Sequence, residues 1–144
     1  MERSQCPRPG ASIRGLRAGI LDRGRSPLRE GDVLLAPLPQ GDGTLKDRPA
    51  LFLMRMPPFQ DFLVCGISTQ IQQAVPDFDE MVVPADSDFR TSGLKAASLI
   101  RLGYLAVLPR SEFKGRIGSL SAARRKRLLT KLSDFLRPPA EVKS

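Results

Sequence analysis

From residue 29 onward, short apolar runs rich in Val, Leu, Ile and Phe alternate with clusters of Pro, Gly and Asp. Short apolar runs bounded by turn-forming residues are typical of β-strands. The pattern predicts strands at residues 32–36, 50–56, 61–69, 80–83, 98–102 and 105–108. The predicted fold class is therefore mainly β, a small barrel or sandwich.

A single amphipathic helix is predicted at residues 122–136. Ser121 can cap its first turn, and Pro138 and Pro139 cannot continue it. The apolar residues recur at the spacing of one helical face. They are Leu128, Leu129, Leu132, Phe135 and Leu136. The basic residues on the remaining surface are interpreted as a solvated face, with a phosphate-binding patch as the alternative. They are Arg124, Arg125, Lys126, Arg127 and Lys131.

The strands and the helix form one predicted domain at residues 29–137. Residues 1–28 contain three prolines and four glycines without a regular hydrophobic period, which is typical of a basic, flexible leader. Residues 138–144 are predicted to be a short tail. Residues 39–47, between the first two strands, are mostly polar and contain two glycines, so we expect an exposed, mobile loop there.

The net charge of +8 suggests a nucleic-acid ligand, because Lys and Arg that neutralise phosphates dominate affinity for such polymers. The positive charge is concentrated at the two ends of the chain. Residues 1–30 carry seven Arg and three acids, and residues 122–136 carry five basic residues and one acid, whereas residues 31–121 are nearly neutral. A basic leader is often only a solvated tail, so the charge supports nucleic-acid binding without deciding it.

No apolar run approaches the roughly 18–20 residues of a membrane-spanning helix, or the roughly 7–15 residues of a secretion signal. We therefore expect a cytoplasmic protein that does not contact a membrane. The chain has no histidine, which excludes a His-based triad and His-ligated metal sites. Two cysteines, Cys6 and Cys65, indicate neither a disulfide framework nor a thiolate metal site. Cys65 is interpreted as core packing.

The acidic residues suggest no metal or nucleotide chemistry. Asp77, Asp79 and Glu80 form the only tight cluster, and beside Pro76 such carboxylates are commonly turn formers rather than metal ligands. The glycines at positions 41 and 43 are followed by no Gly-Lys-Ser/Thr segment, so a phosphate-binding loop is not indicated. We expect neither a metal nor another cofactor.

Six short segments occur in a specific order along the chain. They are GDVLLA at 31–36, RPAL at 48–51, GISTQ at 66–70, SGLK at 92–95, SLIRL at 98–102 and RIGSL at 116–120. In order and spacing, over about residues 29–136, they resemble the MazF/PemK family of toxins of type II toxin–antitoxin systems. The resemblance implies an SH3-like barrel, a homodimer, metal-independent endoribonuclease activity on single-stranded RNA, and control by an antitoxin peptide, with DNA binding by the toxin–antitoxin complex.

The resemblance also implies site residues. Its Arg-Pro arginine falls on Arg48 and its strand hydroxyl on Ser68, and Arg101 matches an arginine found in part of the family. A fixed guanidinium fork suits the negative charge that gathers on a phosphate under attack by the 2′-OH. Arg101 is expected to act electrostatically, because arginine keeps its proton. Substrate binding is assigned to the neighbouring polar residues. They are Thr44, Lys46, Thr69 and Gln70.

One departure from the family concerns the general base. In the relatives that carry the matching arginine, an aspartate follows two residues later, whereas this chain has Gly103. That aspartate is a candidate general base, and its loss leaves no obvious proton acceptor in the segment. Asp42, Asp47 and Tyr104 are possible substitutes.

Two other classes of function stay open. The barrel can be a binding protein, either a degenerate toxin that engages antitoxin or RNA without cutting, or a CcdB-like poison of a protein target. Alternatively, it can be a nucleic-acid adaptor whose basic ends make the contacts.

Overall fold

The computed structural model describes residues 27–139; most of the predicted leader and tail lies outside this range. Six strands are present: β1 Asp32–Pro39, β2 Leu45–Met56, β3 Asp61–Ser68, β4 Glu80–Val82, β5 Ser98–Leu108 and β6 Gly115–Ser119. Two helices accompany them, a single turn α1 at Phe89–Ser92 and the long α2 at Ala122–Leu136. Short 3-10 turns lie at Ile71–Gln73 and Arg110–Glu112.

The strands form one antiparallel sheet in the order β4-β5-β3-β2-β1-β6. The sheet curls into a half-barrel with the C-terminal helix against it, so the predicted mainly β fold with a final amphipathic helix is confirmed. Sequential hairpins join β1 to β2 and β2 to β3, while β5 crosses back to lie beside β3.

Apolar side chains cover both faces of the sheet. Along β2, Leu51 and Leu53 belong to one buried cluster, whereas Ala50 and Phe52 belong to the other, as the alternation of a strand requires. The first cluster packs against α2. The second contains Phe52, whose ring stacks on Phe62 with 3.8 Å between the ring centroids. A one-residue slip would therefore exchange the side chains of the two clusters, which differ in size and shape.

Several predicted boundaries need correction. Segments 98–102 and 105–108 belong to the single strand β5, which is interrupted by a bulge. The exposed loop between β1 and β2 is limited to residues 40–44, because the amide of Gln40 donates to Thr44 O and Gly43, at φ 89°, donates back to Gln40 O. Strand β6 was not predicted, because its two glycines and single apolar residue show no alternating pattern.

Helix α2 has the predicted limits and the predicted cap, with the amide of Arg124 donating to Ser121 Oγ at 3.1 Å. Its apolar face is buried only at its centre. Leu128 and Leu132 are buried, whereas Phe135 and Leu136 are 69% and 65% exposed. The apolar face predicted from the spacing therefore extends beyond the core in the last turn of the helix.

The interpretation of the basic helix residues as a solvated face is wrong for Arg124, whereas Lys126 and Arg127 are exposed as that interpretation requires. Arg124 is buried and uses all five of its N–H groups: Nε and Nη2 donate to Asp88, Nη2 also to Asp86, and Nη1 to Glu80 and to Met81 O. Arg127 and Lys131 also contact Glu80, at 2.9 and 3.1 Å. Most of the positive charge of α2 therefore neutralises carboxylates of the domain itself.

Basic neighbours lower the pKa values of two carboxylates in this network, Asp88 and Glu80. The hydrogen bonds from Arg124 hold the pKa of Asp88 well below its ordinary value. Burial alone would raise the pKa of Glu80, but the hydrogen bonds from Arg127 and Lys131 outweigh it and lower that pKa. Both carboxylates are thus held in the ionised form.

Two further features concern the buried Cys65 and the character of the two helices. Cys65 lies in the core, as predicted, and burial raises the pKa of its thiol to about 12, so it is not a nucleophile at neutral pH. Within residues 27–139, neither helix has the length and apolar character needed to cross a membrane.

Candidate active site

Strands β1, β2, β3 and β5 line a pocket of about 200 Å³ on the sheet surface. Six of the residues singled out from the sequence meet in it: Arg48, Ser68, Thr69, Gln70, Arg101 and Tyr104. These residues are far apart in the chain, and the strand pairings bring them together. Register places Arg101 opposite Gly66, two residues before Ser68, and Ser68 opposite Leu99.

Among residues 27–139, the guanidinium of Arg48 has one side-chain partner. Arg48 is half-buried in β2, and its Nη2 donates to Gln40 Oε1 at 3.1 Å. The amide group of Gln40 in turn donates from Nε2 to Leu38 O at 2.9 Å, which fixes the orientation of its oxygen toward Arg48. The Gln40 amide therefore holds one edge of the guanidinium, and no carboxylate among the described lining residues compensates its charge.

Ser68 ends β3 beside this arginine. Its Oγ accepts the amide of Gln70 at 2.9 Å, so the hydroxyl hydrogen remains available for donation to a ligand. The same hydrogen bond turns the chain out of the strand, toward the short turn Ile71–Gln73. Gln73, at the end of this turn, also lines the pocket, and its side-chain amide has no partner among residues 27–139.

A bulge in β5 shapes another wall of the pocket. Pairing with β3 jumps from Gly66↔Arg101 to Cys65↔Leu105, so three residues of β5 have no counterpart. Such an insertion bends the strand and redirects side chains. The ring of Tyr104 folds back over Gly66, its hydroxyl donates to Pro39 O, and the Arg101 guanidinium lies 5.8 Å from the ring centroid.

The position of the Tyr104 ring requires glycine at position 66. A Cβ at this position would lie 2.8 Å from a ring carbon of Tyr104, closer than real side chains approach. We therefore expect Gly66→Ala to displace the ring and to lower the free energy of unfolding, measured by urea denaturation, by about 1–3 kcal/mol. Gly41→Ala is the matched control, because nothing lies within 4 Å of a Cβ there. Equal stability of the two variants would mean that the ring is not held against Gly66.

The pocket is cationic. Arg48 and Arg101 contribute two permanent positive charges, and none of the described residues that line the pocket is Asp or Glu. Tyr104 is partly buried, and its hydroxyl donates to Pro39 O, so its ring forms part of the scaffold. An arrangement with two guanidinium groups, a free hydroxyl and nearby amides is suited to an anionic ligand such as a phosphodiester.

The two acidic candidates for the missing base, Asp42 and Asp47, lie outside the pocket lining. Asp42 is exposed in the β1–β2 hairpin, where the amide and hydroxyl of Thr44 donate to it and lower its pKa. Asp47 pairs with Lys114 at 3.2 Å. Gly103 also lies outside the pocket lining, and the nearest atom to a Cβ there would be a ring carbon of Phe78, at 3.9 Å. Position 103 therefore has room for a side chain, beside Phe78.

Thr44 and Lys46 are exposed near the β1–β2 hairpin and do not line the pocket, so their assignment to substrate binding stays a prediction. The sequence missed Gln40 and Gln73. Gln40 is found only from the structure, because strand pairing places Ala36 opposite Arg48 and it is the Gln40 side chain that reaches the guanidinium. Within residues 27–139, no group of three or more Cys, Asp or Glu side chains is arranged to hold a metal ion.

The fold and the pocket define a class: a small, mainly β protein with a cationic surface pocket suited to an anionic ligand. A family model described as PemK-like, MazF-like toxin of type II toxin–antitoxin system matches residues 29–136. The chain belongs to this family. The resemblance found from the six sequence segments is thereby confirmed.

Solved structures support the fold. The Mycobacterium tuberculosis toxin MazF-mt6 is 22% identical, with a TM-score of 0.53 over 72% of this chain and 93% of that one. An endoribonuclease in complex with its cognate antitoxin, from a mycobacterial species, is 21% identical, with a TM-score of 0.55 over 79% of this chain and 100% of that one. A search of the curated proteins finds no match.

Proposed function

We propose that this toxin is a metal-independent endoribonuclease that cuts single-stranded RNA. The observation that carries the proposal is the convergence of Arg48, Arg101 and Ser68 in one pocket whose described lining has no carboxylate. Two uncompensated guanidinium groups attract a phosphodiester and supply, without a metal ion, the positive charge that its cleavage needs.

The proposed reaction uses the 2′-OH of the substrate as the nucleophile. Its oxygen attacks the adjacent phosphorus, the bond from phosphorus to the 5′-oxygen breaks, and the products are a 2′,3′-cyclic phosphate and a 5′-OH. Negative charge increases on the non-bridging oxygens at the transition state. Arg48 donates hydrogen bonds to these oxygens, which strengthen as the charge develops. Arg101 adds a second, electrostatic contribution.

Proton transfer is assigned to solvent. Because the described pocket lining contains no Asp, Glu or His, water accepts the proton of the 2′-OH and donates one to the 5′-oxygen. The hydroxyl of Ser68 donates to the phosphate or orients the 2′-OH. Thr69 and Gln70, on the segment that leaves β3, bind the neighbouring nucleotide. This assignment explains how Gly103 is compatible with cleavage.

Two partners accompany the proposed function. A cognate antitoxin contributes an acidic segment that orders on the cationic pocket, and the complex binds DNA. The second partner is another copy of the toxin. From Gly103 to Leu108 the outer edge of β5 has no neighbouring strand among residues 27–139, and Leu105 and Val107 are exposed beside it. An unpaired apolar edge favours pairing with another chain, which supports a homodimer. We place these encounters in the cytoplasm.

The chemistry is tested with two RNA oligonucleotides that differ at one atom. The purified protein is incubated in EDTA with an RNA that it cuts, and with the same RNA carrying a single 2′-deoxy nucleotide at the cleaved position. We expect the first to be cut, with a cyclic phosphate end, and the second to stay intact because the nucleophile is absent. Cleavage of the 2′-deoxy RNA would contradict the mechanism, and dependence on added Mg²⁺ would contradict metal independence.

A second candidate is a toxin that binds without cutting, and Gly103 is the observation that favours it. Binding of RNA, of the antitoxin or of a protein target, with no RNA cleaved in any of these experiments, would support it over the nuclease. The adaptor hypothesis is weakened, because Arg124, Arg127 and Lys131 pair with carboxylates of the domain.

A further inference from the structure

The bulge of β5 carries two residues of the pocket, Arg101 and Tyr104, and its geometry depends on how its ends are held. At the Tyr104 end, the phenol hydroxyl donates to Pro39 O. At the Arg101 end, the next residue, Leu102, donates its amide to Asp79 Oδ1 at 3.0 Å. At Leu102, the hydrogen bond that a neighbouring strand would accept is therefore replaced by a hydrogen bond to the side chain of Asp79.

The position of Asp79 explains this replacement. Strand β4 pairs with β5 only from Glu80↔Ile100 to Val82↔Ser98, so the backbone of β4 stops short of Leu102. Asp79 directly precedes Glu80, and its carboxylate accepts the amide that the ladder leaves unpaired. A hydrogen bond to a charged acceptor is stronger than an ordinary ladder bond.

The carboxylate of Asp79 also binds the segment between β3 and β4, which forms another side of the pocket. Asp79 Oδ2 accepts the amide of Val75 at 3.0 Å, and the amide of Asp79 donates to Val75 O. This closes the turn that ends the segment carrying Thr69, Gln70 and Gln73. Asp79 thus joins two walls of the pocket, although it does not itself line it.

We propose that Asp79 is a positioning residue of the active site, which fixes the Arg101 guanidinium at the pocket by anchoring the β5 bulge through the Leu102 amide. Asp79 touches no substrate and acts through Arg101. The inference rests on the proposed ribonuclease function for its kinetic consequence, but the placement of Arg101 can be measured without any RNA.

The variant is Asp79→Asn, which puts an N–H₂ group where one of the two backbone amides needs an acceptor. The matched control is Asp77→Asn, which removes the same charge two residues away. Asp77 has φ 62°, a backbone conformation that asparagine tolerates well. Asp79→Glu keeps the charge and moves the carboxylate outward, and it replaces Asp79→Asn if the latter does not fold.

The first measurement is the NMR resonance of the Arg101 Nε–H group, assigned by its loss in Arg101→Lys. Because the Arg101 guanidinium lies 5.8 Å from the centroid of the Tyr104 ring, we expect the ring to shift this resonance in the wild-type protein. We expect Asp79→Asn to move it toward its position in the denatured chain and Asp77→Asn to leave it in place. An unmoved resonance in Asp79→Asn, with the Leu102 amide still protected from exchange, would overturn the inference.

The second measurement is single-stranded RNA cleavage. We expect Asp79→Asn to lower kcat on the order of tenfold with little change in KM, because small misplacements of a catalytic group are costly. In an Arg101→Ala background, the same substitution is expected to have no further effect. Additive losses would mean that Asp79 acts on stability alone and would overturn the inference.

Absence of cleavage by the wild-type protein would refute the proposed function, and the NMR result alone would then decide the role of Asp79.

Discussion

Replacing Arg48 by alanine is expected to lower the single-turnover rate of RNA cleavage by about 10²–10³-fold, the cost of removing one preorganised donor to a developing oxyanion. The reason is geometric as well as electrostatic. Gln40 Oε1 holds the Arg48 guanidinium at 3.1 Å in the free protein, so little reorganisation is needed when the phosphate binds. The substitution removes both the charge and this prepared orientation.

Two comparisons separate these contributions. Arg48→Lys keeps a positive charge but lacks the planar fork, so we expect it to recover RNA binding better than the rate of cleavage. Arg90→Ala removes one positive charge at an exposed position outside the pocket and is the control for net charge. Equal cleavage rates of Arg48→Ala and the wild-type protein would refute the assignment of Arg48 as the main phosphate-stabilising residue.

The second large effect concerns stability. We expect Arg124→Met to lower the free energy of unfolding by about 3–5 kcal/mol, because removing one partner of a buried ion pair leaves uncompensated buried charge. Arg124 is 6% exposed, and its loss deprives Asp88 of both donors from the guanidinium. Urea denaturation measures the effect. Lys126→Met is the control, since it removes the same charge from an exposed position of the same helix.

The pH dependence of stability gives an independent check. Arg124 holds the pKa of folded Asp88 below its unfolded value, so the pair stabilises the fold fully at neutral pH. This contribution is lost as the pH falls below the unfolded value of about 4. Arg124→Met is therefore expected to show a flatter loss of stability between about pH 4 and pH 2 than the wild-type protein. Parallel curves would show that the Asp88–Arg124 pair contributes little.

The sequence pattern was sufficient for elements with a clear period. Val33, Leu51 and Leu128 lie in buried positions because alternation in strands and the 3.6-residue repeat of the helix leave few other arrangements. Strand β6 was not recognisable, because its place in the sheet depends on pairing with β1 rather than on its own residues. Local pattern also could not show that the last turn of α2 extends past the core.

The candidate site was predictable in part. Arg48, Ser68 and Arg101 were found through the family resemblance, and the structure brings them into one pocket. Gln40 and Asp79 were not found as parts of the site, because each acts through a contact with a distant segment: Gln40 with the Arg48 side chain and Asp79 with the Leu102 amide. Arg124 was misread because nothing in its own segment indicates the three acids that surround it.

The separation of Arg124 from its partners along the chain affects the order in which the domain can fold. Glu80, Asp86 and Asp88 leave the ribosome more than thirty residues before Arg124, and until then each carboxylate must stay hydrated rather than enter the core. The edge formed by β4 therefore cannot become fully buried before α2 has been made. A growing chain that already contains Arg48, Ser68 and Arg101 still lacks the contact that closes its fold.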